Sequence, residues 1–438
     1  MFMNGKFKNN KVFSMLRYTQ IIVMILLAID CAAGVKAEKL HNKKKELIGY
    51  VVANKFFKAV LVAPGKYSSS KYGADIVRGG WFKDIILKNA DKGLLGSGKS
   101  PYGDFRFGLT QLFEPEISLK LNQKVVWVPG IGKGRVDKDG NLIVSEFFPW
   151  KSEIAEKDKK LIVSYSQTAN ATSDYSYKIR IDCEFNDSAI VKLKGIFFNT
   201  GKQTFKANVS PSPIFELPIE NTPWVTVPYQ RSKTLKKGRI NYICTAPLSI
   251  KELKKNYVFA GNRLSKAKRW VAAGGLAGDG IFVFKSKSLF EKVVYWQGVN
   301  CFSIYPTVKI EAKPGARVEW EWDFVFGRGL KEVSAISSKG IYGARTYDAK
   351  SGTRIMCELA FMPYDTEKGL IMEPVFKSAS GKMIALKSSE MLTISPLRPG
   401  RAVIMMSDRI VKDERYRVDI EMLKNDEHYD AKEVWIYP

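Results

Sequence analysis

Val318-Glu-Trp320-Glu-Trp322-Asp-Phe324-Val-Phe326 is the stretch that decides the fold. Alternate residues of a strand share a face. Val318, Trp320, Trp322, Phe324 and Phe326 therefore line one face, and Arg317, Glu319, Glu321 and Asp323 line the other. Four aromatic rings on one side and four charges on the other read as a long strand with one face in a core. The acidic row reads as a solvated face beside lysines. The period of two recurs upstream, in Tyr175-Ser-Tyr-Lys-Ile-Arg-Ile181 and in Ile190-Val-Lys-Leu-Lys-Gly-Ile196. Asp139-Gly140, Asn199-Thr-Gly201 and Ser380-Gly381 stand between such runs as hairpin signals. Amphipathic helical stretches are scarce, the best being the short Ser249–Lys255.

The chain is expected to be all-β, with a large antiparallel sandwich from about 46 to 332. The pattern restarts after Gly329 in shorter strands, at Arg354–Phe361, Ala402–Met406 and Tyr416–Met422. This predicts a smaller C-terminal β-sandwich over 333–438. A chain of 438 residues with 45% hydrophobic and 12% aromatic residues can fill two such cores.

The N-terminus reads as an export signal. Lys6, Lys8, Lys11 and Arg17 precede the apolar run Ile21–Ile29, which Asp30 ends. That run is too short for a bilayer core, which needs about 20 apolar residues. Val35-Lys-Ala37 has the small residues of a cleavage site. The reading is a signal over 1–37, a charged linker over 38–45 containing Lys43-Lys44-Lys45, and an exported product: extracellular, periplasmic or at the cell surface. An uncleaved anchor is the alternative. The formal charge of +26 favours anionic partners. Outside the cytoplasm these are acidic polysaccharides or envelope polymers rather than nucleic acid. Cys183, Cys244, Cys301 and Cys357 permit two disulfides or four buried thiols. Their spacings fit no zinc motif, and neither a metal nor a cofactor is expected.

Several motifs are weaker than their letters. Gly93-Leu-Leu-Gly-Ser-Gly-Lys-Ser100 matches a phosphate loop, but its flanks supply no strand before it and no helix after it. It reads as a glycine-rich surface turn. Gly130-Ile-Gly132-Lys-Gly134 reads as a bulge in a strand. The two histidines, His41 and His428, lie outside the middle of the large domain, so histidine-based triads and dyads have little support. Carboxylates such as Glu114 and Glu116, which flank Pro115, or Glu146, which opens the aromatic stretch Glu146-Phe-Phe-Pro-Trp150, remain as candidates for glycosidic chemistry. Trp81, Trp127, Trp150 and Trp270 lie near basic or amide residues, most densely in Lys266-Ala-Lys268-Arg269-Trp270. An indole can stack on a sugar face while Lys or Arg holds a uronate or sulfate. Trp81, Trp127, Trp150, Lys268, Arg269 and Trp270 are therefore the candidate ligand-binding residues.

Taken in order, several segments resemble the galactose mutarotase-like superfamily. Tyr175–Phe185, Ile190–Phe198 and Asn199-Thr-Gly-Lys202 resemble its paired long strands and the turn after them. Trp270-Val-Ala-Ala273 and Gly278-Asp-Gly-Ile-Phe-Val283 resemble its strand pair near the sugar cleft. Lys313-Pro-Gly-Ala-Arg-Val-Glu-Trp320 resembles its late Pro-Gly turn, and Phe57–Pro64 its opening strand. The likeness covers roughly residues 50 to 328. It implies a β-supersandwich with a sugar cleft on a concave face. The family's epimerases use a histidine acid and a late glutamate base. Here Asn208-Val-Ser-Pro-Ser-Pro-Ile-Phe215 stands where the histidine is expected, and Phe302-Ser-Ile-Tyr-Pro306 where the glutamate is. The resemblance thus implies the fold without the epimerase reaction. The leading expectation is a non-catalytic protein that binds a carbohydrate, for preference an acidic glycan. The alternative is a polysaccharide lyase or glycoside hydrolase, with Tyr177, Tyr229, Arg231 and Tyr305 as its candidate catalytic residues. A further alternative is an envelope structural protein with no sugar site.

Overall fold

The computed structural model describes residues 34–436 except 42, 65–80, 96–118, 122–124, 129–131, 137–141, 171–173, 212, 218–221, 236–237, 252, 254–255, 262–263, 267, 299–300, 349–354, 378–382, 386–387 and 406–415. The chain is all-β, and its sheets are antiparallel. The strand Arg317–Arg328 lies at the centre of a nine-stranded sheet. It pairs with Ile190–Asn199 on one side and Gly280–Ser286 on the other. Ser176–Phe185, Lys160–Asn170 and Trp150–Lys157 extend the sheet one way. Trp270–Leu276, Trp224–Thr226 and Leu248–Ser249 extend it the other.

Two further sheets cover the apolar face. The N-terminal four-stranded sheet, Lys36–His41 to Trp81–Leu87, brings Phe57 within 5.4 Å of Phe326 and Phe82 within 5.9 Å of Phe185, centroid to centroid. The other cover is a five-stranded sheet that includes Phe205–Val209, Lys292–Gln297 and Cys301–Ala312. Phe215 joins the layers, lying 5.3 Å from Phe282 and 5.2 Å from Phe302. Each buried aromatic side chain stabilises the fold by roughly 1.5–3 kcal/mol, so the row read first from the sequence is also the sheet's main anchor.

The register shows why two glycines interrupt apolar strands. Gly195 faces Trp320, and Gly274 faces Trp224. A Cβ at either position would enter the indole opposite it. Each glycine therefore makes the groove into which a tryptophan of the neighbouring strand lies flat.

A second cluster, built on Tyr342, Phe361, Met372, Phe376, Tyr416 and Met422, fills the space between two C-terminal sheets. One holds Gly340–Asp348, Ile355–Pro363 and Gly400–Met405, and the other holds Glu367–Lys377, Tyr416–Lys424 and Glu427–Ile436. The seam with the large sandwich is packed. Val333, Ile341, Ala360, Met362 and Tyr364, all beyond the boundary expected at 332, join the first core. The Tyr364 hydroxyl donates to Ser337 O at 3.0 Å, and Lys55 bridges Asp187 and Asp365 at 3.3 and 2.7 Å.

Several local expectations change. The charged linker over 38–45 is strand as far as His41, paired with Leu47–Ala53, because Leu40 is buried against Val51 and Val60. Asn199-Thr-Gly201 is not a hairpin. It carries the chain from the nine-stranded sheet to the five-stranded one, fixed by Asn199 Nδ2 donating to Gln203 O and Ala312 O, each at 2.8 Å. Ser249 belongs to a two-residue strand paired with Trp224, not to a helix. In the phosphate-loop look-alike, Leu94 and Leu95 are buried. Leu94 N donates to Ile85 O and Leu95 N to the Asp84 carboxylate, which ties the segment to a sheet rather than leaving it at the surface. Residues 96–100 of that motif, the leader up to residue 33, Asp139-Gly140 and Ser380-Gly381 lie outside the described residues. Gly132–Val136 is a strand with a register shift at Lys133/Gly134, the bulge expected there. All four described cysteines are free buried thiols, so the two-disulfide alternative is not realised.

Candidate functional site

A cleft of about 1340 Å³ opens between the large sandwich and the outer face of the last sheet. Its first wall is Lys266, Lys268, Arg269, Trp270, Lys285 and Ser286. The loop before Trp270 is held by short-range bonds. Ser265 N donates to Pro228 O, Lys268 N donates to Ser265 Oγ at 3.0 Å, and Ser286 N donates to Arg269 O at 3.0 Å. The Arg269 guanidinium donates to the Lys287 carbonyl. Backbone anchors thus present three basic side chains from a six-residue segment. No carboxylate lines this wall.

The second wall follows from strand alternation. On Tyr416–Lys424 the residues Tyr416, Val418, Ile420 and Met422 point into the small core, so Arg417, Asp419 and Glu421 point outward. Arg417 stands opposite Trp435, and Asp419 opposite Glu433. Arg417 bonds Asp419 at 2.6 Å and Glu433 at 3.2 Å, and Lys377 reaches Asp419 at 2.6 Å. Burial raises the Asp419 carboxyl, but the bonds from Arg417 and Lys377 outweigh it and hold the group below its ordinary value. The half-buried Trp435 indole donates to Glu433 Oε1 at 2.6 Å. The site therefore pairs a basic wall with a wall that carries an indole and hydrogen-bonding carboxylates.

Of the six binding candidates, Lys268, Arg269 and Trp270 meet in this cleft. Trp270 is only 5% exposed, so it offers an edge and not a stacking face. Trp150 is 7% exposed and sits on the opposite edge strand of the nine-stranded sheet. Trp81 and Trp127 occupy strands of two other sheets, and their side chains lie outside the described residues. The indole that faces the cleft is Trp435, which sequence reading passed over. Its signal was the alternation Glu433-Val-Trp435-Ile at the end of the chain, where Val434 and Ile436 take the core face.

The four catalytic candidates are spread over three sheets. Tyr177 is fully buried and donates to Gln167 Oε1 at 2.6 Å, a core role that leaves it no access to a substrate. Tyr229 and Arg231 lie on a two-stranded ribbon and Tyr305 on the five-stranded sheet; the Arg231 side chain lies outside the described residues. The Glu319, Glu321 and Asp323 row is the solvated face it was read to be, with Lys194 2.8 Å from Glu319, Lys287 on Glu321, and Lys285 3.8 Å from Asp323. His428 is exposed and lies 3.3 Å from Glu421 Oε1 at the cleft rim. Among the described residues no three His, Cys, Asp or Glu side chains gather closely enough to hold a metal ion.

No family model matches the chain, and no curated protein does. Solved structures do. One is a galactose mutarotase-like protein from Clostridium acetobutylicum, 12% identical over 68% of this chain and 99% of that one, with a TM-score of 0.46. The Slr1438 protein of Synechocystis sp. PCC 6803 is 12% identical over 69% and 99%, with a TM-score of 0.44. A galactose 1-epimerase from Lactobacillus acidophilus NCFM is 10% identical over 68% and 100%, with a TM-score of 0.42. Each of these likenesses spans about two thirds of this chain and nearly the whole of the other.

Proposed function

We propose that this chain is an exported, non-catalytic carbohydrate-interacting protein that holds an acidic glycan in the cleft between its two sandwiches. One observation carries the reading: Lys266, Lys268 and Arg269 face a wall bearing Trp435 across a space large enough for several sugar rings. Drug-sized ligands occupy pockets of about 300–1,000 Å³, so a cleft of 1340 Å³ suits an oligosaccharide better than a single ring. The basic wall attracts uronate or sulfate groups, the indole offers an apolar surface to a ring, and the carboxylates accept hydroxyl protons. The basic, apolar leader supports export, and the formal charge of +26 supports an anionic partner at an envelope or in the extracellular space. The lyase or hydrolase reading has less behind it, with Tyr177 in the core and the other three candidates on other sheets. A structural protein without a sugar site gives no reason for an open cleft of this composition.

The test is binding of the full chain to immobilised alginate, polygalacturonate, heparin and neutral laminarin. The expected result is binding to at least one polyanion, weakened at least about tenfold, or 1.4 kcal/mol, in Lys268→Glu/Arg269→Glu. The same assay should show weakening by salt. Absence of binding to all four polymers, or binding indifferent to the double reversal, overturns the proposal.

A further inference from the structure

Trp435 lines a second cavity as well as the cleft. This smaller space, about 200 Å³, lies where the loop after Gly238–Cys244 meets the C-terminal sandwich. Its polar lining is Thr245, Glu332, Ser334, Arg345 and Thr346, and Trp435 supplies the indole. We propose that it is an end subsite for one neutral sugar ring of the glycan held in the cleft. The inference rests on the cleft reading for the identity of that glycan.

Size comes first. At about 200 Å³ the cavity falls below the ~300 Å³ at which drug-sized pockets begin. One ring fits and a chain does not. Chemistry comes second. Three hydroxyl side chains, a carboxyl and a guanidinium beside one indole form the lining of a polyol site. Glu332 is preset within it. Its Oε1 accepts from Ser334 Oγ at 2.8 Å and from Ala344 N at 3.3 Å, and Ala344 N also donates to Ser334 Oγ at 3.0 Å. Arg345 is engaged outside this set, donating to Glu358 Oε2 at 2.7 Å. Charge comes third. Arg345 is the cation of the lining, and its bond to Glu358 leaves no second lining cation to hold an anionic ring. Burial, with Glu358 nearby, pushes the Glu332 carboxyl up to about 7, against the lowering by Ser334, Ala344 and Arg345. A carboxyl poised there both donates and accepts, as a sugar hydroxyl does. The cleft and the cavity thus select opposite ends of one ligand, anionic units against the basic wall and a neutral ring beyond Trp435.

The experiment uses the full chain with methyl β-glucoside, methyl β-galactoside, methyl α-mannoside and methyl β-glucuronide, read by saturation-transfer NMR and calorimetry. At least one neutral glycoside should bind, with the glucuronide at least about tenfold weaker. Ala246→Phe, which adds a ring to the cavity lining, should weaken the neutral glycoside at least about tenfold, while Lys194→Glu, on the outer face of the nine-stranded sheet, leaves it unchanged. If circular dichroism shows that Ala246→Phe does not fold, Glu332→Ala decides, with the same loss expected. No neutral binding, equal glucuronide binding, or wild-type binding in the deciding variant overturns the inference. Failure of the cleft reading is separate: polyanion binding would be absent while the neutral glycoside still bound.

Discussion

The outer face of the nine-stranded sheet and the basic wall of the cleft are both built from lysine and arginine, but they use charge in opposite ways. On the sheet each acid of the central strand has a cation beside it: Lys194 at Glu319, Lys287 at Glu321 and Lys285, which also lines the cleft, at Asp323. On the cleft wall Lys266, Lys268 and Arg269 follow one another with no carboxylate on their own side, and Glu373, Asp419, Glu421 and Glu433 line the other side. Exposed pairs of the first kind contribute little to stability, because solvent screens them. A one-signed wall creates a field that a ligand can use. Pairing marks the solvated face, and segregation marks the wall proposed to bind. The contrast also separates stability from function, since the paired face is the back of the aromatic row that anchors the core.

The sharpest break is made beneath the paired face. Trp322 is buried to 1% exposure, with Phe284 at 5.4 Å and Trp320 at 6.2 Å. Trp322→Ala is expected to cost about 3–5 kcal/mol in urea unfolding. The indole Nε1 has no hydrogen-bond partner, so Trp322→Phe should cost much less, having no bond to lose. Glycan binding of the folded Phe variant should match wild type. Equal losses for Ala and Phe would show that the ring's size is not what matters there.

A second effect of comparable size belongs to the seam. Glu332 is held near 7 by burial, and the charged or titratable groups around it are Arg345, Glu358 and Cys357, the last pushed up to about 12 mainly by its own burial. A carboxyl whose folded value lies above its unfolded value of 4.5 keeps its proton longer in the folded state. Its contribution is present below about pH 4.5 and is lost as pH rises through 7. At 1.36 kcal/mol for each unit, the loss is about 3 kcal/mol across that window. Glu332→Gln should flatten the fall in a pH series of denaturation midpoints. An unchanged slope would remove Glu332 as its source.

Much of this was legible in advance, for a physical reason. Strand alternation is local, so Val318–Phe326 alone revealed a buried and a solvated face, and both were found. Lys268, Arg269 and Trp270 were legible as a cluster because they adjoin in sequence. What failed was whatever depended on partners distant in sequence. Tyr177 gave no sign that Gln167 would meet its hydroxyl in the core. Trp435 lines the cleft because a second sheet brings it to the same space as Lys268, more than 160 residues away. Glu332 looked like any acid at a boundary, until folding placed Ser334 and Ala344 on it. The linker failed more simply, since Leu40 was hidden in a run of charges.

The smallest expected effect tests the contrast most directly. Glu319 accepts from Lys194 and lies beside Arg317, and these partners hold its carboxyl below the ordinary value although burial opposes them. It is exposed, so the surrounding water already supplies most of what those cations offer. Glu319→Gln should leave the unfolding midpoint at neutral pH where it is, and should leave polyanion binding unchanged although it adds one net positive charge. That second half is the discriminating one. If attraction came from net charge alone, losing any surface acid would strengthen binding. If it comes from the segregated wall, only changes at Lys266, Lys268 and Arg269 will move it. Tighter polyanion binding by Glu319→Gln at low salt, equal in size to the weakening from a single reversal in the cleft, would dissolve the distinction between the two faces.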